Sequence, residues 1–231
     1  MGWVRMTDNG LDSLLTGLDA QTQCPVESGC ANAESGTALV VSCSMSHRPD
    51  LSLWPIDSSW TTHRTTTLGG VSWSSRDGQQ VVDGTVTHLV DERDISAVLV
   101  VGHTQCEVIA DLYERWLVPP TREPAGIEAR FGPLESVLDD AVDTGVVDRT
   151  TPLRTARHRL VECTVVRGVE LLTKRLPSSI TVAGYVHDQD GVYGMFPGKQ
   201  YLVAVDGVTD TAELDAGLPE DESIPVGSLC Q

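Results

Sequence analysis

The chain has 231 residues, 40% of them hydrophobic, and carries a formal net charge of -17. That length suits one large α/β domain with a sizeable core, and no stretch approaches the roughly 20 apolar residues of a membrane-spanning helix. So negative a field repels nucleic acid and anionic membrane surfaces, which excludes both as expected partners.

Taken in chain order, Leu11, Leu14, Leu15 and Leu18 fall at helical spacing between Asp8 and Ala20, and Gln21 to Gly36 is a polar loop. Residues 1–36 therefore read as an N-terminal helical arm and loop. Thr37 to Ser42 (TALVVS) is a short apolar run bounded by Gly36 and a polar cluster, the pattern of a buried parallel strand. Cys43 is then expected just past a strand end. Pro49 to Trp73 is rich in Thr, Ser and Trp without a period and reads as mixed strand and loop. Gln79 to Asp91 places Val82, Val86, Leu89 and Val90 at helical spacing, and Asp94 to Val101 (DISAVLVV) reads as a second buried strand followed directly by Gly102 and His103.

A helix is expected from Glu107 to Leu117, where Pro119-Pro120 stops it, and further helices over Leu134 to Val147 and Leu153 to Leu176. Ser179 to Val186 (SITVAGYV) reads as a strand, with Asp188 to Gly191 as turn chemistry before a hairpin-like return. The acidic run from Asp210 to Glu222 reads as a solvated surface segment within a C-terminal tail, 207–231. Residues 37–206 are left as the core of a single domain spanning 1–231. Strands alternating with helices imply an α/β fold, a mainly parallel sheet flanked by helices, with ligands gathered beyond the carboxyl ends of the strands.

Two motifs sit at such ends. His103-Thr104-Gln105-Cys106 is an H-x-x-C unit at a helix start, short enough for both side chains to reach one ion. The spacing alone equally fits a buried Cys beside a helix-capping His. Cys43, from another strand end, can supply a third ligand. Two thiolates and one imidazole match the softness of Zn²⁺, and three protein ligands leave the fourth position open, as in catalytic sites. A helix N-terminus also favours a deprotonated Cys106.

Val40 to Pro49 (VVSCSMSHRP) resembles the C-x-D-x-R segment of the β-carbonic anhydrases, and Val98 to Ala110 (VLVVGHTQCEVIA) resembles their strand followed by G-H-x-x-C. Gln80 to Ile95 is similar to the helix before that second motif, and Leu68-Gly69-Gly70 to the family's Ala-Gly-Asn turn. Arg157 to Gly191 resembles its long helix and G-W-x-Y-D strand, here Gly184-Tyr185-Val186-His187-Asp188. The resemblance runs in order over roughly residues 36 to 195. It implies a β-carbonic-anhydrase-like fold and a Zn²⁺ cofactor held by Cys43, His103 and Cys106. It also implies reversible hydration of CO2 to bicarbonate by a zinc-bound hydroxide, in a homodimer or higher homo-oligomer.

The family's helper positions differ. Met45 stands where the family has Asp, His47 occupies the Arg position, and Arg48 comes one residue late. Met45 can neither accept a proton nor form the family's Asp–Arg pair. The resemblance then implies that the carboxylate-on-zinc state is absent and that CO2 hydration persists at a reduced rate. His47, Arg48 or Gln105 is left to orient the substrate. The alternative is a zinc protein of the same fold that binds bicarbonate or another small anion without turnover, or that hydrolyses another heterocumulene.

Of the remaining candidates, His187-Asp188 reads as a surface turn, and His63, His88 and His158 as structural or solvated. Cys24 and Cys30 read as spare thiols, Cys163 as a small hydrophobe on a helix face, and Cys230 as uninformative. No G-x-x-x-x-G-K-[ST], G-x-G-x-x-G or G-x-S-x-G is present, so kinases, dehydrogenases and serine hydrolases are poor readings. With no secretory signal in Met1 to Leu18, a cytoplasmic protein is expected. Many carboxylates beside only two lysines, Lys174 and Lys199, match the surfaces of salt-in halophiles.

Overall fold

The computed structural model describes residues 36–46, 60–122, 124–194, 196–218 and 225–230. The expected N-terminal arm, Cys24, Cys30, His47 and Arg48 lie outside these residues.

Strand β1 (Thr37–Cys43) and strand β5 (Ala97–His103) form the middle of a five-stranded sheet, and β5 is buried at every position. A strand covered on both faces must be apolar throughout, which is why both runs lack alternation. Strand β2 (Thr61–Thr67), TTHRTTT, pairs parallel to β1 at the sheet edge, where β-branched polar residues satisfy both strand propensity and solvent. Strand β6 (Thr181–Asp188) pairs parallel to β5, and strand β7 (Lys199–Val205) returns antiparallel to β6. The order is β2-β1-β5-β6-β7, so the mainly parallel α/β sheet and the hairpin-like return both match expectation.

Between β2 and β5 the chain forms a hairpin, β3 (Trp73–Arg76) and β4 (Gln79–Val82), and then helix α1 (Gly84–Glu92). After β5 come α2 (Glu107–Leu117), α3 (Ala125–Asp143) and α4 (Leu153–Arg175), and α5 (Thr211–Ala216) follows β7. Among the described residues, no helix is long and apolar enough to cross a membrane.

One sheet face, including Leu39, Val41, Val98, Val100 and Val182, packs with α2, α3 and α4 into the main core. The other face carries Val40, Leu99, Val101 and Tyr185 against Trp60 and Leu214 of α5. Helix α4 can lie close on the sheet because β5 and β6 present glycines to it. A Cβ on Gly102 would lie 2.7 Å from Val161, and one on Gly184 would lie 2.7 Å from Val165. Since α4 precedes the parallel strand β6, its first two turns stand at the carboxyl edge of the sheet, bringing Arg154, Arg157 and His158 there.

Two expectations are corrected. Gln79 to Asp91 is not one helix: Asp77 and Gly78 both adopt positive φ (52° and 76°), the geometry of a two-residue hairpin turn, and β4 pairs back on β3. The helix begins only at Gly84, where the Asp83 carboxylate accepts the Thr85 N–H at 2.8 Å. The helix expected from Leu134 starts at Ala125 and runs through Gly132-Pro133, because burial of Phe131, Leu134 and Leu138 on one face outweighs the hydrogen bond that Pro133 forgoes. The segment beyond the acidic run packs on the sheet. Residues 225–230 lie along β7, with the Leu202 N–H donating to Pro225 O at 2.9 Å and the Gly227 N–H donating to Leu202 O at 3.2 Å.

Asp206 at the end of β7 yields a test. It sits at φ 47°, its carboxylate accepts the Val182 N–H at 2.8 Å, and burial raises its pKa. A raised carboxyl pKa lowers stability as pH climbs above the unfolded value of about 4. Asp206→Asn keeps the acceptor and tolerates the left-handed backbone. It should gain roughly 0.5 kcal/mol at neutral pH, and the gain should vanish below about pH 4 in denaturant titrations.

Candidate metal centre

Cys43 and His103 close two adjacent parallel strands, and Cys106 caps α2 three residues later, so the topology delivers three soft ligands to one edge of the sheet. Both strands run slightly further than their apolar runs suggest. Cys43 pairs with Thr67 and His103 with His187, so the ligands are the last residues of their strands rather than the first residues beyond them. The turn after β1 is closed by the Ser46 N–H donating to Cys43 O at 3.1 Å.

The three ligand atoms lie within 4.8 Å of one another, and all three residues are buried. The sulfurs of Cys43 and Cys106 are 3.7 Å apart. Two sulfurs about 2.3 Å from one tetrahedral ion would stand about 3.8 Å apart. His103 Nδ1 faces the Gln189 side-chain oxygen at 3.4 Å, which makes Nδ1 the protonated nitrogen and leaves the lone pair on Nε2. That Nε2 is buried without a hydrogen-bond partner. A buried imidazole lone pair beside two close sulfurs is the donor set of a borderline-soft divalent cation, and the residues fit zinc.

Taken as a pair of thiols, the two cysteines cannot both ionise. The Cys106 S–H holds the Cys43 pKa well below its usual value, with further help from the Met45 N–H, which donates to Cys43 Sγ at 3.3 Å. Cys106 moves the opposite way, raised by that same bond to Cys43 and by burial, and the N–H groups of Val108 and Ile109 at the helix start counter this only in part. The helix-start N–H groups thus act on Cys106 in the expected direction, and in the bare pair the bond to Cys43 and burial outweigh them. A cation would relieve the conflict by replacing the shared proton.

Above the ligands is a pocket of about 250 Å³ lined by Met45, His103, Gln105, Glu107, Arg157 and Gln189. Its wall is set by the turn after β6. Thr104, fully buried, accepts the N–H groups of Gln189 at 2.9 Å and Asp190 at 3.2 Å on its hydroxyl. The Asp188 carboxylate accepts the N–H groups of Asp190 at 3.2 Å and Tyr193 at 2.9 Å. His187 and Asp188 are thus buried structural residues at the strand end, which corrects the expected surface turn.

Asp190 then gathers the side chains around the pocket. It accepts from Gln105 Nε2 at 2.9 Å, Arg157 at 3.0 Å and His158 Nε2 at 2.6 Å, with Arg154 at 3.8 Å. Burial alone would raise the Asp190 pKa, but these donors and the Arg157 charge outweigh it and the net direction is down. His158, expected to be structural or solvated, is buried with Asp190 as its partner, and burial keeps it below its usual pKa. Of the candidate helpers, Gln105 reaches the pocket. Arg157, Gln189 and Asp190 were not signalled by local sequence, because α4 and the β6 turn meet the ligands only in the folded sheet.

No family model and no curated protein sequence matches the chain. Solved structures do. The β-carbonic anhydrase of Coccomyxa, in complex with acetazolamide, aligns at TM-score 0.52 and 16% identity over 89% of this chain and 85% of its own. A tetrameric β-carbonic anhydrase of Sordaria macrospora aligns at 0.52 and 14%, over 72% and 80%. The β-carbonic anhydrase CafA of Aspergillus fumigatus aligns at 0.51 and 17%, over 78% and 79%. With these alignments extending over most of both chains at TM-scores above 0.5, the protein has the fold of the β-carbonic anhydrases.

Proposed function

We propose that the chain is a zinc lyase of the carbonic anhydrase type, hydrating CO2 reversibly to bicarbonate. The observation that carries this reading is the convergence of Cys43, His103 and Cys106 on one point, open to a pocket, in a chain with this fold. The ion they would hold supplies a Lewis acid that brings the pKa of water toward neutrality.

The chain's own residues set the conditions for that chemistry. Gln189 fixes the His103 tautomer, and the Met45 N–H moderates the charge on Cys43. Arg157, held by Asp190, places a fixed positive charge on the pocket wall where a bicarbonate product would carry its negative one. Gln105, also held by Asp190, offers an orienting amide, and we assign the same orienting role to His47 or Arg48 just after the β1 turn. Met45 places a thioether where a proton acceptor would be useful, which slows proton removal. The working form is a homo-oligomer on this reading, in line with the tetramers of the Sordaria enzyme.

Met45 also favours a second reading, a zinc site that binds bicarbonate or another small anion without turnover. The test is metal analysis of purified protein together with stopped-flow CO2 hydration. We expect about one zinc per chain and a hydration rate above the buffer background that disappears on chelation and returns with zinc. Zinc without turnover, but with bicarbonate binding by calorimetry, selects the second reading. Absence of zinc sinks both.

A further inference from the structure

Glu162 in the middle of α4 is a carboxylate with only 2% exposure, far from solvent and outside the metal pocket. Every donor around it belongs to the protein. Its oxygens accept the Tyr193 hydroxyl, the Ser228 hydroxyl at 2.6 Å, the Leu229 N–H at 2.8 Å and the Cys230 N–H at 3.3 Å. A buried carboxylate is costly unless fully hydrogen-bonded, and here three of the four donors come from the last residues of the chain. The C-terminal segment is therefore docked at one register on α4.

That docking brings two sulfurs together. Cys163 follows Glu162 on the helix, and its Sγ lies 3.4 Å from the Sγ of Cys230, 67 positions later in the chain. Both are free thiols and both are partly exposed, so small reagents can reach them. The pair does not suit a metal: Glu162 is saturated by donors, and among the described residues only Cys43, His103 and Cys106 group with ligand spacing.

We infer that Cys163 and Cys230 are a disulfide site, a redox-closable staple that fastens the C-terminal segment to α4. Closure moves the sulfurs from 3.4 Å to about 2.05 Å, within reach of side-chain rotation. The oxidant is a small disulfide such as oxidised glutathione. The Cys163 thiolate attacks it, giving a mixed disulfide and one released thiol, and Cys230 then displaces the second. Two S–H bonds are lost, one S–S bond forms within the chain, and the two electrons and two protons leave as two molecules of reduced thiol. Cys163 attacks first because the Cys230 thiol donates to Arg159 O at 3.4 Å, a bond that favours its protonated form.

The test equilibrates the full chain, in zinc-containing buffer to shield Cys43 and Cys106, across glutathione redox ratios. Free thiols are then alkylated and the peptides mapped by mass. The expected product is a single intrachain link between the Cys163 and Cys230 peptides. Closing so long a loop should raise the melting temperature by about 5–10 °C, a gain lost in dithiothreitol and absent from Cys230→Ser. Glu162→Gln, which turns one accepting oxygen into a donor facing the tail's N–H groups, should slow closure about tenfold if docking presents the thiols. Cys163 and Cys230 remaining separately alkylatable in the most oxidising buffer, or pairing with Cys24 or Cys30 instead, overturns the inference. So does a Glu162→Gln chain that closes at the wild-type rate.

Discussion

Replacing His103 with Ala should lower zinc affinity by about 10²- to 10³-fold. Structural zinc sites are worth roughly 10–16 kcal/mol, so an even share among their ligands is about 3–4 kcal/mol each. His103 supplies the one nitrogen donor, and its Nε2 is already oriented, since Gln189 holds the opposite ring nitrogen and the ring sits at the end of a fully buried strand. Ala fits that position without strain, because it removes atoms and disturbs no backbone bond of β5. Competition titration against a chromophoric chelator measures the loss directly, and CO2 hydration should fall to background. Retained affinity in His103→Ala would place the ion elsewhere. A milder variant, Gln189→Ala, leaves all three ligands and should weaken zinc only about tenfold. That graded response distinguishes a positioned imidazole from an incidental one.

Asp190→Ala should destabilise the fold by about 3 kcal/mol, which corresponds to a fall in melting temperature of roughly 10 °C. Three donors lose their acceptor at once, and two of them, Arg157 and His158, are too buried to turn fully to water, with side chains 21% and 7% exposed. Removing one partner of a buried charged network costs more than the network contributes net, since the remaining charge is stranded. Asp190→Asn keeps one accepting oxygen and should lose about half as much.

The pH dependence follows from the same residues. His158 is depressed by burial, so neutral His158 stabilises the fold above its unfolded pKa of about 6.5, and that contribution is lost as pH falls through the folded value. Asp190 is depressed by its donors, so its contribution is present above about pH 4 and is lost below. Wild type should therefore lose stability on acidification from about pH 6.5 downward, and Asp190→Ala should lack the lower part of that slope. Denaturant midpoints measured from pH 7 to pH 3 would show it.

How much of this was legible in the sequence varies by element. The cores of β1 and β5 are readable because a strand buried on both faces has no choice but an apolar run. Their ends are not, since Cys43 and His103 are polar or reactive yet still share ladder pairing with Thr67 and His187. The Asp77-Gly78 turn carried a local signal, but the valines at 82 and 86 supplied a competing helical period across the junction between a strand and a helix. The start of the helix at Ala125 was not legible, because the missing N–H of Pro133 is a local cost whereas the buried face that outweighs it packs against α2 and α4. His158, Glu162 and Cys230 gave no signal at all, because they find partners from 31 to 71 residues away. The three candidate ligands could be picked out because their spacing and their strand-end positions coincide. The pocket wall was not.

That division has a consequence for how such a protein can change. The candidate metal ligands come from residues 43 to 106, while two of the pocket's charged and amide groups, Arg157 and Gln189, come from the first turns of α4 and the turn after β6. The two stretches meet through the β5–β6 ladder and through Thr104, which holds the turn after β6, rather than through shared residues. Grafting a different turn between β6 and β7, with a matching first turn of α4, could therefore redirect the pocket toward another small molecule while leaving the metal chemistry in place.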